Sequence, residues 1–230
     1  MRRRCITAML ALALIAIMAY SFMQLWAIDS ETQAEKDRRR QVLEKKPDQA
    51  QPGEDPLAAL RAQNPDIVGW ITVPYTGIDY PVVQAQDNDY YLRRDLNGDY
   101  ALAGTVFMDY RSPKDASDYG ILYGHNMKSG SMFGTLGRFE DREFFDAHSE
   151  GRILLEDGWH DIAFFAFLVV PHNDAVIYGQ PRSPDFLDYV VRQAKHTRPS
   201  FPSANDRLIA LSTCAYVYEG ARMVLIGRIV

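Results

Sequence analysis

The sequence predicts a mainly β fold with peripheral helices (α+β), built on an eight-stranded barrel that is closed or nearly closed. Two observations predict it. From Ile67 onward, eight short runs rich in β-branched and aromatic residues are bounded by Gly, Pro, Asn and Asp. Only three helical patterns interrupt them, and eight strands in about 165 residues favour a sheet that closes on itself.

Taken in order, the chain opens with Arg2-Arg3-Arg4 and then a run without formal charge from Cys5 to Met23. As a helix this run spans roughly 28 Å, close to the ~30 Å hydrocarbon core. Tyr20, Phe22 and Trp26 at its far end suit the headgroup level. The alternatives are a cleaved signal peptide and a buried core helix. Cleavage is disfavoured because Trp26-Ala27-Ile28 makes a poor site. Residues 1–28 are therefore expected to form a cytoplasmic basic flank and a single-pass membrane anchor, with everything after Asp29 outside the cell. Lys36, Arg38, Arg39, Arg40, Lys45 and Lys46 sit on that outer side, interleaved with Glu35, Asp37 and Glu44.

Residues 29–55 read as a charged helix capped by Ser30 and ended by Pro47, followed by the linker Pro47–Pro56. The globular domain is assigned to 56–230. Asp55 and Pro56 start a short helix through Ala62. The strand runs are Ile67–Val73, Ile78–Val83, Gly104–Met108, Gly120–Tyr123, Arg152–Glu156, Asp161–Val170, Arg207–Thr213 and Arg222–Val230. Helices are expected at Met132–Phe139, Arg142–Ala147 and Pro184–His196. In the last, Phe186, Leu187, Val190, Val191 and Ala194 share one stripe. The apolar run Ala163–Val170 is expected to be a strand buried on both faces.

A hydrophobic content of 47% excludes a disordered chain. Net charge is −5, and setting aside the three positive charges of Arg2, Arg3 and Arg4 leaves −8. That is the wrong sign for a protein that must neutralise phosphates, so no nucleic-acid partner is expected. No His-Glu-x-x-His, Cys-x-x-Cys or EF-hand spacing occurs, and no phosphate-binding glycine loop, so no metal and no cofactor is expected.

The chain has two cysteines, Cys5 and Cys214. An anchor would place them too far apart to bridge, leaving Cys214 a lone thiol in an oxidising compartment. It ends the strand Arg207–Thr213, and a hairpin centred on Tyr218 puts Arg222 directly opposite it. Opposed residues share a face with Cβ atoms about 5 Å apart. An arginine on an apolar hairpin is costly unless it meets an anion, and a thiolate or an oxyanion forming beside it is one.

Nucleophilic chemistry also needs a base. His148 and His196 read as helix ends, His160 lies in a turn, and His172 follows Pro171 in a long loop where it could line a cleft. His125 differs, because Gly120–Gly124 is a strand that releases its chain at a glycine and then presents the imidazole.

These residues resemble the sortases, and class B in particular. The resemblance covers about 56–230 and rests on the order and spacing of several short motifs. They are Asn64-Pro-Asp-Ile-Val-Gly-Trp-Ile71, Tyr80-Pro-Val-Val-Gln84, Asn88-Asp-Tyr-Tyr-Leu92, Tyr123-Gly-His-Asn-Met127 and Leu211-Ser-Thr-Cys214, followed by Arg222. It implies a membrane-bound cysteine transpeptidase on an eight-stranded barrel, with a helix between the sixth and seventh strands. His125, Cys214 and Arg222 would be the catalytic set, and Asn88, Leu92, Ser212 and Thr213 would line the groove for a sorting-signal peptide. The implied reaction cleaves that signal after Thr through a thioacyl-enzyme and passes the acyl group to a cell-wall precursor amine, or to a pilin lysine. His125 as an imidazolium would stabilise the thiolate. Ala210 and Ala215 depart from residues common in the family. The competing readings are a thiol peptidase or peptidoglycan hydrolase, which usually places Cys before His, and a binding module without catalysis.

Overall fold

The structure is a computed structural model that describes residues 2–47, 55–199, 201–215 and 218–230, with side chains of the first helix given at 9, 10, 12–26, 29, 30, 33, 37 and 40–43. The chain divides into two compact units, Met1–Glu44 and Lys45–Val230.

The first unit is one helix, α1 (Arg2–Leu43). The expected break at Ser30 does not occur, because no Gly or Pro precedes Pro47 and nothing interrupts the hydrogen-bond ladder. The apolar run and the charged stretch therefore share one rod. Among the described residues, no helix is long and apolar enough to cross a membrane. This corrects the expected single-pass anchor and the extracellular placement that depended on it. The side chains of Arg2, Arg3, Arg4 and Cys5 and most of the linker lie outside the described residues.

In the second unit, Asp55 accepts from the Leu57 N–H (2.9 Å) and pairs with Arg61 (2.9 Å), tying down both ends of α2 (Ala58–Arg61). The barrel strands are β1 (Ile67–Val73), β2 (Ile78–Val83), β3 (Phe107–Met108), β4 (Tyr119–Tyr123), β5 (Glu150–Leu155), β6 (Gly158–Pro171), β8 (Leu208–Cys214) and β9 (Ala221–Ile229). Around the barrel they run β1-β2-β3-β4-β8-β9-β6-β5, and β5 pairs with both β6 and β1 to close the ring. The two-residue β7 (His196–Thr197) is a ninth strand on the free side of β6. Two pairings, β2 with β3 and β4 with β8, are parallel.

The wall of β4, β6, β8 and β9 is buried on both faces. Ile209, Leu211 and Leu225 point into the barrel core with Val73, Leu122 and Phe164. Their neighbours Leu208, Ala210, Val224 and Ile226 belong to an outer layer with Tyr119, Phe165 and Leu168. This two-sided burial explains the unbroken apolar runs in β6 and β8. Helix α4 (Phe186–Gln193) covers the outer layer through Phe186 and Val190, one turn apart. It is shorter than expected at both ends, and Val191 faces solvent.

Helix α3 (Arg142–Ala147) has its expected bounds, with Asp141 accepting from the Phe144 N–H. The expected helix at Met132–Phe139 is instead a 3-10 turn over Leu136–Glu140, and Met132 has positive φ. The expected strand Gly104–Met108 shrinks to β3 because Gly104 adopts φ +59°, packed against the carbonyls of Tyr91 and Leu92, and so leaves the extended conformation.

Candidate active site

Strands β4 and β8 run parallel, with Tyr123 paired to Ser212, so both release their chains at one rim of the barrel. Antiparallel β9 starts at the same rim, and its register sets Arg222 opposite Cys214. Three bonds hold the released chains together. The Gly124 N–H donates to the Ser212 carbonyl (3.2 Å), Thr213 Oγ1 donates to the Gly124 carbonyl (2.7 Å), and Asn126 Nδ2 donates to the Cys214 carbonyl (2.7 Å). Residues 216 and 217, in the β8–β9 turn, lie outside the described residues.

A cleft of about 200 Å³ opens at this rim. His125, Cys214, Arg222, Asn88, Leu92, Ser212 and Thr213, each singled out from the sequence, all line it. Phe107, Tyr123, Tyr178 and His172 line it as well, so the loop after Pro171 does deliver His172 to a cleft. Its ring packs against the turn residue Gly220, where a Cβ would lie 2.7 Å from Nδ1. Cys214 is the free thiol among the described residues, and it is partly exposed. No group of three or more His, Cys, Asp or Glu there is placed to hold a metal ion.

His125 is half-buried, and its Nε2 donates to the Leu92 carbonyl at 2.8 Å. That carbonyl belongs to a 3-10 turn, Tyr90–Arg93, pinned from below. The Tyr91 hydroxyl donates to Asp66 (2.7 Å) and accepts from Asn64 (2.9 Å). Leu92 thus contributes its backbone to the site by orienting the imidazole, a role side-chain patterns do not reveal. Burial pushes the His125 pKa below the ordinary imidazole value; the Leu92 carbonyl opposes this and the Arg93 charge adds to it.

Several polar groups of the cleft wall bond to one another or to the backbone. Ser212 Oγ and the Tyr178 hydroxyl share a hydrogen bond (2.9 Å), and burial raises the Tyr178 pKa to about 12, keeping the phenol neutral. Arg222 Nη1 donates to the Ala221 carbonyl at 3.1 Å. Below the wall lies Asp109, fully buried, which no sequence motif singled out. The available signal was an aspartate directly after an apolar strand, with an arginine two residues on.

A thiol, an imidazole and a guanidinium on one narrow wall can carry out acyl transfer through a covalent thioester. The sequence family model of the sortase domain matches residues 71–230. The chain belongs to the sortase family. Sortase B of Listeria monocytogenes is 40% identical over 185 residues, which are 76% of this chain and 74% of the relative. The Staphylococcus aureus sortase B–substrate complex superposes with a TM-score of 0.74 at 27% identity, covering 88% of this chain and 97% of that one. A Streptococcus pyogenes class B sortase involved in pilus biogenesis does so at 0.69 and 32%, covering 75% and 96%. This sortase is of class B, a cysteine transpeptidase of sorting-signal peptides on the expected eight-stranded barrel.

Proposed function

We propose that Cys214 is the nucleophile, His125 the proton carrier and Arg222 the oxyanion partner in a transpeptidation that cleaves a sorting signal after Thr. The observation that carries this reading is the register of Cys214 against Arg222 beside the imidazole delivered by β4, all three on one cleft. The sulfur attacks the Thr carbonyl carbon and the C–N bond breaks. The departing amine takes a proton from His125, leaving a thioacyl group on Cys214. A second amine then attacks the thioester and restores the thiol. The planar fork of Arg222 holds the tetrahedral oxygen or a neighbouring signal carbonyl without any proton transfer.

Burial gives His125 a different starting state from the preformed imidazolium expected from the sequence. A lowered pKa favours the neutral ring at pH 7, so it accepts the thiol proton as the attack begins. Since Nε2–H is held by Leu92, Nδ1 is the nitrogen that exchanges that proton.

The acceptor is read as an amine of a cell-wall precursor. A pilin lysine is the second reading, supported by the pilus role of the Streptococcus pyogenes relative. The test mixes the protein with Asn-Pro-x-Thr, Leu-Pro-x-Thr and Ser-Pro-x-Thr peptides and both amine classes, then reads intact mass and ligated product. Cys214→Ala should give neither acyl-enzyme nor product; product from that variant would refute the assignment. The amine found in the product separates the two acceptors.

A further inference from the structure

Asp109 follows β3, and its carboxylate, fully buried, collects donors from three side chains. Arg111 donates from Nε to Oδ1 (2.9 Å) and from Nη2 to Oδ2 (2.7 Å), and its backbone N–H adds a third bond to Oδ1 (2.9 Å). The Tyr123 hydroxyl (3.0 Å) and Asn88 Nδ2 (3.1 Å) both donate to Oδ2. Burial alone would raise the Asp109 pKa, but the bonds from Arg111 and Tyr123 outweigh it and hold the carboxyl below its ordinary range. It is therefore an acceptor only.

That fixes which way the Asn88 amide faces. Its Oδ1 accepts from the Tyr110 N–H (3.1 Å), a group that can only donate, while its Nδ2 meets Asp109, a group that can only accept. Turning the amide over would set oxygen against carboxylate and N–H against N–H, losing two bonds and creating two repulsions. With Oδ1 engaged and one Nδ2 hydrogen committed, Asn88 has one N–H left beside the cleft.

We propose that Asp109 is a positioning residue for the bound peptide: it locks Asn88 as a hydrogen-bond donor, so that this side chain recognises a backbone or side-chain carbonyl of the sorting signal. The same carboxylate holds the Tyr123 ring, which stacks on Tyr178 with centroids 6.2 Å apart, so one buried charge braces both aromatic and amide parts of the wall. The proposal rests on the reading of this cleft as the sorting-signal site.

The test measures KM and kcat with a peptide that acylates the wild type, together with the rate of Cys214 alkylation by iodoacetamide and the thermal midpoint. Asp109→Asn should raise KM by about three- to tenfold, the size of one hydrogen bond, while kcat and the alkylation rate stay near wild type. The double variant with Asn88→Ala should be no worse than Asn88→Ala alone, because both remove the same contact. Asn88→Asp provides an independent arm that does not need Asp109→Asn to fold. It offers an acceptor in place of the donor and should bind peptide more weakly than Asn88→Ala. An unchanged KM in folded Asp109→Asn, additive losses in the double variant, or tight binding by Asn88→Asp would each overturn the proposal. If the wild type forms no acyl-enzyme with any signal peptide, the reading of the cleft fails instead, and intact mass reports that separately.

Discussion

Adding a single methyl group at Gly124 should cost both stability and activity. A Cβ built there would lie 2.7 Å from Cγ and 2.9 Å from Cδ2 of Phe133, where ordinary contact begins at 3.4 Å. The neighbour is a fully buried aromatic ring, so the ring and its backbone must retreat by about 0.7 Å into a filled core. Overpacking of this kind costs about 1–3 kcal/mol, and a domain of this size loses roughly 2–4 °C of thermal midpoint for each kcal/mol. The Phe133 N–H donates to the His125 carbonyl at 3.0 Å, so the displacement is passed to the imidazole. A misplacement near 1 Å can cost about a hundredfold in rate. The assay is thermal unfolding beside acyl-enzyme formation for Gly124→Ala, Phe133→Leu and the pair. Phe133→Leu alone should cost about 1–1.5 kcal/mol. Because it also makes room for the methyl, the pair should fall short of the sum by at least about 1 kcal/mol. Strict additivity, or Gly124→Ala with wild-type stability and rate, would refute the packing argument.

Two further outcomes follow from the site. Arg222→Lys should fold normally, since among the described residues its side-chain hydrogen bond goes only to the adjacent Ala221 carbonyl, yet lose about 10²–10³ in kcat because a point charge cannot replace the fork; near-normal turnover would limit Arg222 to a structural role. The lowered His125 pKa means that the unfolded chain binds its proton more readily than the folded one. Its stabilising effect is complete above the ordinary imidazole pKa, near 6.5, and is lost as pH falls from there through the folded value. Denaturant unfolding from pH 8 to 5 should therefore show wild type losing more stability than His125→Gln, and parallel curves would contradict the burial argument.

How much of this was legible beforehand depended on the range of the interaction. The facing of Cys214 and Arg222 could be counted along a single hairpin, because alternation along two adjacent strands sets which residues share a side. Closure of the ring was expected from the number of strands, but not that β5 makes it, because hydrophobic alternation states which face is buried but not which strand lies alongside. The helix expected at Met132–Phe139 failed on local chemistry. Gly134 is pressed against the Met127 carbonyl, where a Cβ would come within 2.3 Å, and the chain turns before it can coil. Asp109 escaped notice because its partners Asn88 and Tyr123 lie 21 and 14 residues away and meet it only through the fold. The apolar N-terminal run suggests an anchor on hydropathy alone, whereas among the described residues no helix is long and apolar enough to cross a membrane.

The order of His125 before Cys214, unusual for a papain-like thiol enzyme, has a topological cause. Parallel pairing of β4 and β8 places both C-terminal ends on one rim, and antiparallel β9 must begin there. Imidazole, thiol and guanidinium thus leave from neighbouring positions of one hydrogen-bonded sheet, and none depends on a long loop for its placement. Rigidity of this kind preorganises the site but also desolvates it: the closeness of the strands that aligns His125 removes the water that would stabilise its charge. A neutral imidazole with Nε2–H tied to Leu92 is suited to receive a proton at Nδ1 only when peptide is seated. In the proposed reaction a peptide carbonyl beside Arg222 would then supply the developing negative charge that favours the imidazolium. On the roles proposed for His125, Cys214 and Arg222, substrate binding and proton transfer would be coupled through the electrostatics of one wall, and the thiol would become a strong nucleophile only with peptide bound.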